Sequence, residues 1–417
     1  MKPINQIRLE FALILLLAST VVCAATPNPI KKGSPAWFVA RAAKPWLPRY
    51  DPKTDWNFTH ASRRVQQTCW RSATLPIPPA DLPSVAHAAR LMSCNSEALY
   101  YGFAGKPNYV RARKCAYLER AAGNRFPVAS SAILSMIYAN GLGVKRNLPL
   151  AIKFACEAGG APAEINGRID HLKVLAAMSG RKRPRFGFCD DITSGYMEGI
   201  CTGIAATYRD ARREKAIAQV TSSYTPNQRA ALSALQGAAA NYFNAHARNE
   251  VDLSGTARVA FWIEDIQHSW NMFLRDLRTL EADKLPTEPH TATRQADAHL
   301  KAVLRRVLAE PYLRQRPVAR FPPPGIPVPG GTISRDGIRA DQSLWLAYRD
   351  AWLRFAALRK PVLPPRMVKA WITDQRIDSL RCLLPFRAQG AKSCTRPTLS
   401  PSNMRQPTGS ANILIQN

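Results

Sequence analysis

Between about residues 84 and 383 of this 417-residue chain, apolar side chains recur at intervals of three and four. That is the period of helices that bury one face. The pattern predicts an all-α fold, with helices over 84–101 and 109–122 and a turn centred near Gly105. A long helix follows FCDDITSG, with Asp191 or Thr193 expected as its cap. Further helices are expected over 226–248, 256–282, 292–308 and 365–383, and along DQSLWLAYRDAWLRF at 341–355. In that last stretch Trp345, Tyr348, Trp352 and Phe355 form an aromatic stripe, which on a helix is usually core. Arg349 and Asp350 leave the helix about 100° apart and are not expected to pair. Asp350 is expected to reach Arg354, and Arg349 to find Asp374 or Asp378 on the last helix.

Two segments repeat. EALYYGFAGKPNYVRARKCAYLERAAG and SMIYANGLGVKRNLPLAIKFACEAGG align Ala112 with Ala151, a period of 39 residues. Paired helices at that spacing mark a short alpha-solenoid. Further on, Gly195, Gly199 and Gly203 share a helix face, a spacing that lets a second helix approach closely. The chain divides into a leader at 1–25, a Pro/Trp-rich arm at 26–83 and helical repeats at 84–180. A helical region follows at 186–291, then a C-terminal helical domain at 292–395 and a polar tail at 396–417. A proline and glycine cluster at 319–331 interrupts that domain as an extended loop. In the arm, Trp37, Trp46, Trp56 and Trp70 stand among Arg41, Lys44, Arg49, Arg63 and Arg64. Such rings either stack on the sugars or bases of a polymer or, more commonly, anchor a segment to its neighbour.

The leader sets the compartment. Lys2 and Arg8 precede the apolar run from Phe11 to Ala18, and Val22-Cys23-Ala24-Ala25 fits signal-peptidase cleavage, placing the mature protein in the periplasm or outside the cell. No later stretch is apolar enough to span a membrane. Eight cysteines remain after the leader. Cys94 and Cys115 fall at one height on facing helices and are expected to bridge. Cys189 with Cys201 and Cys382 with Cys394 are each 12 apart, which leaves Cys69 with Cys156. There is no CxxC and the histidines are scattered, so neither metal nor cofactor is expected.

Lys and Arg number 58 against 29 Asp and Glu, a net charge of +29. Such a field attracts polyanions. For an exported chain these are anionic envelope polymers or lipid headgroups, while nucleic acid is not an expected partner. No GxSxG, Walker, HExxH or dinucleotide motif is present. Asp190 and Asp191 fit a helix start, and Glu264 and His268 stand one turn apart without a third ligand. The chain is not expected to be an enzyme.

Two resemblances add to this. Tyr138, Gly141, Gly143, Val144, Ala151 and Ala158-Gly159 make the second repeat resemble a Sel-one-like repeat, a relative of the tetratricopeptide repeat. The C-terminal region resembles the LprI-type lysozyme-inhibitor family, small helical envelope proteins. Ala296-Asp297 with Leu300, then Trp345, Tyr348, Arg349, Asp350 and Ala351, then Arg376 with Leu380, carry that resemblance. It implies a protein partner, lysozyme, with Trp345, Tyr348, Arg349, Asp350 and Arg376 as the binding residues. Trp352, Leu353 and Arg354 stand where that family commonly has a cysteine.

Overall fold

Side chains that accept a backbone N–H three residues on decide where most helices begin. Ser34, Asp55, Ser62 and Ser84 start α1 (Pro35–Ala42), α2 (Trp56–Thr59), α3 (Arg63–Ala73) and α4 (Val85–Leu91) in this way. Asn95 and Asn108 start α5 (Ser96–Tyr101) and α6 (Tyr109–Ala122). After α7 (Ser131–Asn140), Asn147 caps α8 (Leu148–Ala158), and α9 (Pro162–Ala177) opens on a proline. Ser194 and Thr225 cap α10 (Gly195–Val220) and α11 (Pro226–Asn249), which precede α12 (Arg258–Glu281) and α13 (Ala296–Leu308). Ser334 caps α14 (Arg335–Arg359), and α15 (Pro365–Arg381) again opens on proline.

This computed structural model describes residues 30–46, 53, 55–103, 105–124, 126–178, 183–286, 295–318 and 331–385. The expected leader, the 319–330 loop, the tail and Cys394 lie outside them, and with Cys394 the proposed bridge to Cys382. The fold is all-α: among the described residues there is no strand, only one isolated bridge between Arg314 and Ser334.

The 39-residue period is visible in the main chain. Asn108 N–H donates to the Leu99 carbonyl at 2.9 Å, and 39 residues on Asn147 N–H donates to the Tyr138 carbonyl at 3.0 Å. Phe103 N–H to Ala98 and Leu142 N–H to Ile137, both 3.1 Å, repeat in the same way. Gly102 and Gly141 end α5 and α7 in the left-handed region, at φ 73° and 67°. A side chain would be strained there, and at Gly102 a Cβ would also lie 2.7 Å from the Pro107 nitrogen. Each helix from α5 to α9 packs against the next, as in a solenoid.

Among the described residues two large apolar cores result, beside a small cluster of Ala88, Leu91 and Leu118. The first runs from Ala42 to Ile204 and the second from Ile217 to Leu384, so α10 contributes its beginning to one and its end to the other. The glycine face of α10 lies against α12, where a Cβ at Gly195 would lie 2.4 Å from the Ala257 nitrogen and one at Gly199 2.9 Å from Val259 Cβ. Three disulfides serve the first half: Cys69–Cys156, Cys94–Cys115 and Cys189–Cys201. These are the pairs that the sequence pointed to.

Several local expectations change. The Pro/Trp-rich arm, for which no helix was expected, holds α1, α2 and α3, short helices whose prolines lie at a first turn or between elements, where proline is tolerated. The helix expected over 84–101 breaks after Leu91 and restarts at Ser96, because Asn95 caps a second start. Asp191 and Thr193 do not cap α10; Ser194 does, accepting from Met197 N–H. Asp190 accepts instead from Gly187 N–H at 2.7 Å, and Asp191 pairs with His171 at 3.0 Å. Glu264 reaches across to Arg209 at 2.7 Å rather than along its own helix.

Candidate binding site

The C-terminal motif is divided between core and surface. Trp345, Tyr348, Trp352 and Phe355 are buried, with Tyr348 stacked on Tyr242 at 5.6 Å and Trp352 against Trp371 at 5.7 Å. Arg376 is buried as well, forming a two-pronged pair with Glu250 at 2.6 and 2.8 Å and donating to the Tyr242 hydroxyl and the Gln342 side-chain amide oxygen Oε1, each at 3.1 Å. Glu250 lies one hundred and twenty-six positions earlier, beyond any local signal. Arg349 keeps only 12% of its side chain exposed. Against expectation it does contact Asp350, at 3.3 Å, because the long arginine side chain folds back along the helix. Its second partner is neither Asp374 nor Asp378 but Asp297 at 3.2 Å, since it leaves α14 toward the first turn of α13. Lys369 shares Asp297 at 2.5 Å and, with Arg349, holds that carboxylate below its usual range, while Asp378 engages Arg381.

Beside Arg376 lies an arrangement that sequence reasoning missed. His246 Nδ1 stands 2.8 Å from Asp265 and its Nε2 3.1 Å from the Ser379 hydroxyl. The order Ser–His–Asp suggests nucleophilic catalysis. Electrostatics argues otherwise. Burial lowers the His246 pKa, but Asp265 and Glu250 outweigh it and raise it to about 9. At neutral pH the imidazole already carries the proton that a general base must take up. Ser379 also sits inside α15, where backbone N–H groups donate within the helix and offer no oxyanion hole. The three residues instead tie α11, α12 and α15 together.

The first half contains an open cleft of about 550 Å³. Pro78 and Asp81 come from the turn after α3, Arg113 from α6, Tyr138 from α7, and Gly143 to Asn147 from the loop entering α8. Gly143 permits this arrangement: at φ 63° it presses on α6, where a Cβ would lie 3.0 Å from Val110 Cγ2. Its carbonyl accepts from Arg113 Nη1 at 2.7 Å. Behind the cleft the Tyr117 and Tyr138 hydroxyls lie 2.7 Å apart, and Tyr138 donates to Asp81 at 2.8 Å. Burial, then Tyr117 and Asp81, raise the Tyr138 pKa, so that hydroxyl keeps its proton. Arg113 is only 6% exposed; its Nη2 stands 3.6 Å from Asp81, and its Nε is buried without a partner. Lys145 and Arg146 stand exposed at the rim. The GLGVKRN segment marks the turn and the rim in sequence, but nothing there points to Asp81 or Arg113.

The tryptophans of the arm divide. Trp46 packs on the first core, whereas Trp56 is 62% and Trp70 42% exposed, with Trp56 stacked on His60 at 4.1 Å. Among the described residues, no group of three His, Cys, Asp or Glu is placed to hold a metal, and no helix is long and apolar enough to cross a membrane. Fold and sites together define an all-helical, disulfide-bonded protein with a strongly basic surface. Comparison with family models, with curated proteins and with solved structures found no match to it.

Proposed function

We propose that the chain is an exported, non-catalytic helical scaffold that holds an anionic polymer of the cell envelope. One observation carries this reading: the basic excess stays outside. Among the described residues the buried charges nearly cancel, with Glu97, Glu119, Glu157, Glu164, Glu250, Asp276 and Asp341 against Arg113, Arg120, Lys153, Arg168, Arg213 and Arg376, so the excess behind the net charge of +29 is left to the surface. A surface of that kind concentrates polyanions and repels basic proteins. Exposed Trp56 and Trp70, near Arg63, Arg64 and Arg71 in sequence, supply rings on which the units of a polymer can stack. The three disulfides fit an oxidising compartment. Lysozyme inhibition, which the C-terminal resemblance implies, draws no comparable support. Trp345, Tyr348 and Arg376 face inward, Arg349 is engaged by Asp297 and Asp350, and a basic target is repelled. Sedimentation of the protein with purified anionic cell-wall polymer tests the reading. Binding should weaken steadily as salt rises. Retention that ignores salt, or no retention at low salt, rejects it.

A further inference from the structure

Most of the surface charge is unspecific, but the cleft between α6, α7 and the loop into α8 is built. Its charged lining is Arg113, Lys145 and Arg146 against the single carboxylate of Asp81, with the Tyr138 hydroxyl neutral. Three cations facing one anion leave a formal excess of two positive charges. The start of α8 at Asn147 adds the positive end of a helix dipole to the same wall. Asp81 keeps its charge while accepting from Tyr138 at 2.8 Å, and it is the one anion already counted against the three cations. Arg113 is the unusual member. A guanidinium this deeply buried normally spends all its donors, because an unmet buried donor costs about 1–3 kcal/mol. Here Nη1 is spent on Gly143, Nη2 has only a long contact with Asp81, and Nε has nothing. Nε is enclosed, so Nη2 is the donor that an oxyanion in the cleft can reach.

From these observations we infer that the cleft binds a phosphate group, with Arg113 at its floor and Lys145 and Arg146 closing over it. A phosphate monoester carries about −1.5 to −2 charge near neutral pH, which matches the excess, whereas a carboxylate brings only one charge. The inference rests on the polyanion reading and sharpens it: the cleft selects phosphorylated material from among the polyanions that the surface attracts. Gly143 is part of the site, since it brings its carbonyl onto Arg113 and sets the rim loop in place.

Calorimetric titration of the oxidised full chain with inorganic phosphate, at constant ionic strength in chloride, tests the site. One phosphate per chain should bind saturably. Lys145→Gln with Arg146→Gln, both exposed and therefore without effect on melting, should weaken binding at least tenfold. Arg113→Gln should abolish it, and the rim pair keeps the test valid if that variant fails to fold. Absent or unsaturable phosphate binding, or equal binding by the rim variant, overturns the inference. A parallel arm compares long-chain polyphosphate with polyglutamate. If the wild type prefers polyphosphate and the rim variant does not, the cleft reads phosphate on a polymer. If both proteins hold both polymers alike, the cleft inference fails and the scaffold stands. If phosphate binds but neither polymer does, the scaffold fails and the ligand is a small phosphate ester.

Discussion

The two cores solve the same problem, the buried charge, in different ways. In the first half, buried ions mainly satisfy the ends of the main chain. Lys153 donates to the carbonyls of Ala73 and Leu75 at 2.7 and 2.8 Å, at the end of α3, and Arg120, which also grips Glu157 through two bonds of 2.6 Å, donates to those of Ala42 and Lys44, both at 3.0 Å, at the end of α1. Glu119 accepts from the N–H groups of Ser96 and Ser130 at 2.9 and 3.0 Å, and Glu164 from those of Thr193 and Ser194 at 3.1 and 2.9 Å. These charges finish short helices whose ends would otherwise be buried unmet. In the second half, helices run for up to 25 residues and leave few ends inside. Its charges meet side chains: Arg376 pairs with Glu250 in the core, half-buried His246 pairs with Asp265, and buried Asp341 accepts from the Asn249 amide at 2.7 Å. Arg335 and Lys360 are exceptions, meeting the ends of α13 and α12 through the Leu308 carbonyl at 2.8 Å and the Glu281 carbonyl at 3.1 Å. Short helices stacked as hairpins need charge for their backbones and covalent ties for their loops; long helices can spend charge on register between side chains.

The largest effect expected from this contrast is covalent. Replacing Cys69 and Cys156 by serine opens an 87-residue separation and should cost roughly 4–5 kcal/mol. Hydrogen exchange should rise in α3 and α8 while α14 and α15 stay protected; equal loss in both halves would show one cooperative unit. Arg376→Ala strands Glu250 and should cost about 3–5 kcal/mol in the second half, measured by urea unfolding. Arg376→Met combined with Glu250→Leu should recover most of it, since an apolar pair leaves no charge unmet.

Acidity separates the halves further. The His246 pKa, raised to about 9, gives stability that is full below its unfolded value of 6.5 and lost as pH climbs through 9. Asp341 and Asp276, raised to about 7 chiefly by burial, likewise cost more stability as pH rises from their ordinary 3.8 through 7. In the first half Glu97, raised to about 7 chiefly by burial, acts in the same direction from its ordinary 4.5, but Lys153, lowered to about 8 by burial, works the other way: its cost is present below 8 and relieved between 8 and 10.5. Exchange rates in α11 and α15 should therefore rise between pH 6 and 9, by about 2 kcal/mol of opening energy, and less in α8. His246→Gln should flatten that alkaline slope. Within the repeat, Gly102→Ala should cost about 2 kcal/mol and Gly141→Ala about 1 by thermal melting. Both lie at positive φ, but only the first would drive a Cβ into a backbone atom at 2.7 Å, the second meeting Arg146 at 3.3 Å. Lys369→Ala removes an exposed pair with Asp297 and should cost under about 1 kcal/mol.

Periodic features were readable in the sequence, and ion pairs between helices were not. The long helices, the 39-residue hairpin and the glycine face of α10 all follow from spacing. Of the described disulfides, Cys94–Cys115 followed from helix geometry and Cys189–Cys201 from proximity in the chain, and Cys69–Cys156 was what remained. The short helices of the arm were hidden by prolines that look like breakers but lie at first turns or between elements. Arg349 was assigned to the wrong helix because rotation about the helix axis fixes a direction, not which neighbour stands there. The grip of Arg376 on Glu250, and the meeting of Asp81 with Arg113, depend on how hairpins stack, and no local pattern records that.

The helix that serves both cores has a mechanical meaning. At 26 residues α10 is a rod of about 39 Å, fixed by Cys201 at one end and by Ile217 in the other core. Swivelling one half against the other would have to bend or unwind a continuous hydrogen-bonded spiral, not just slide a loop. A polymer that tugs on the repeat would pass its load through this strut to the opposite end of the molecule.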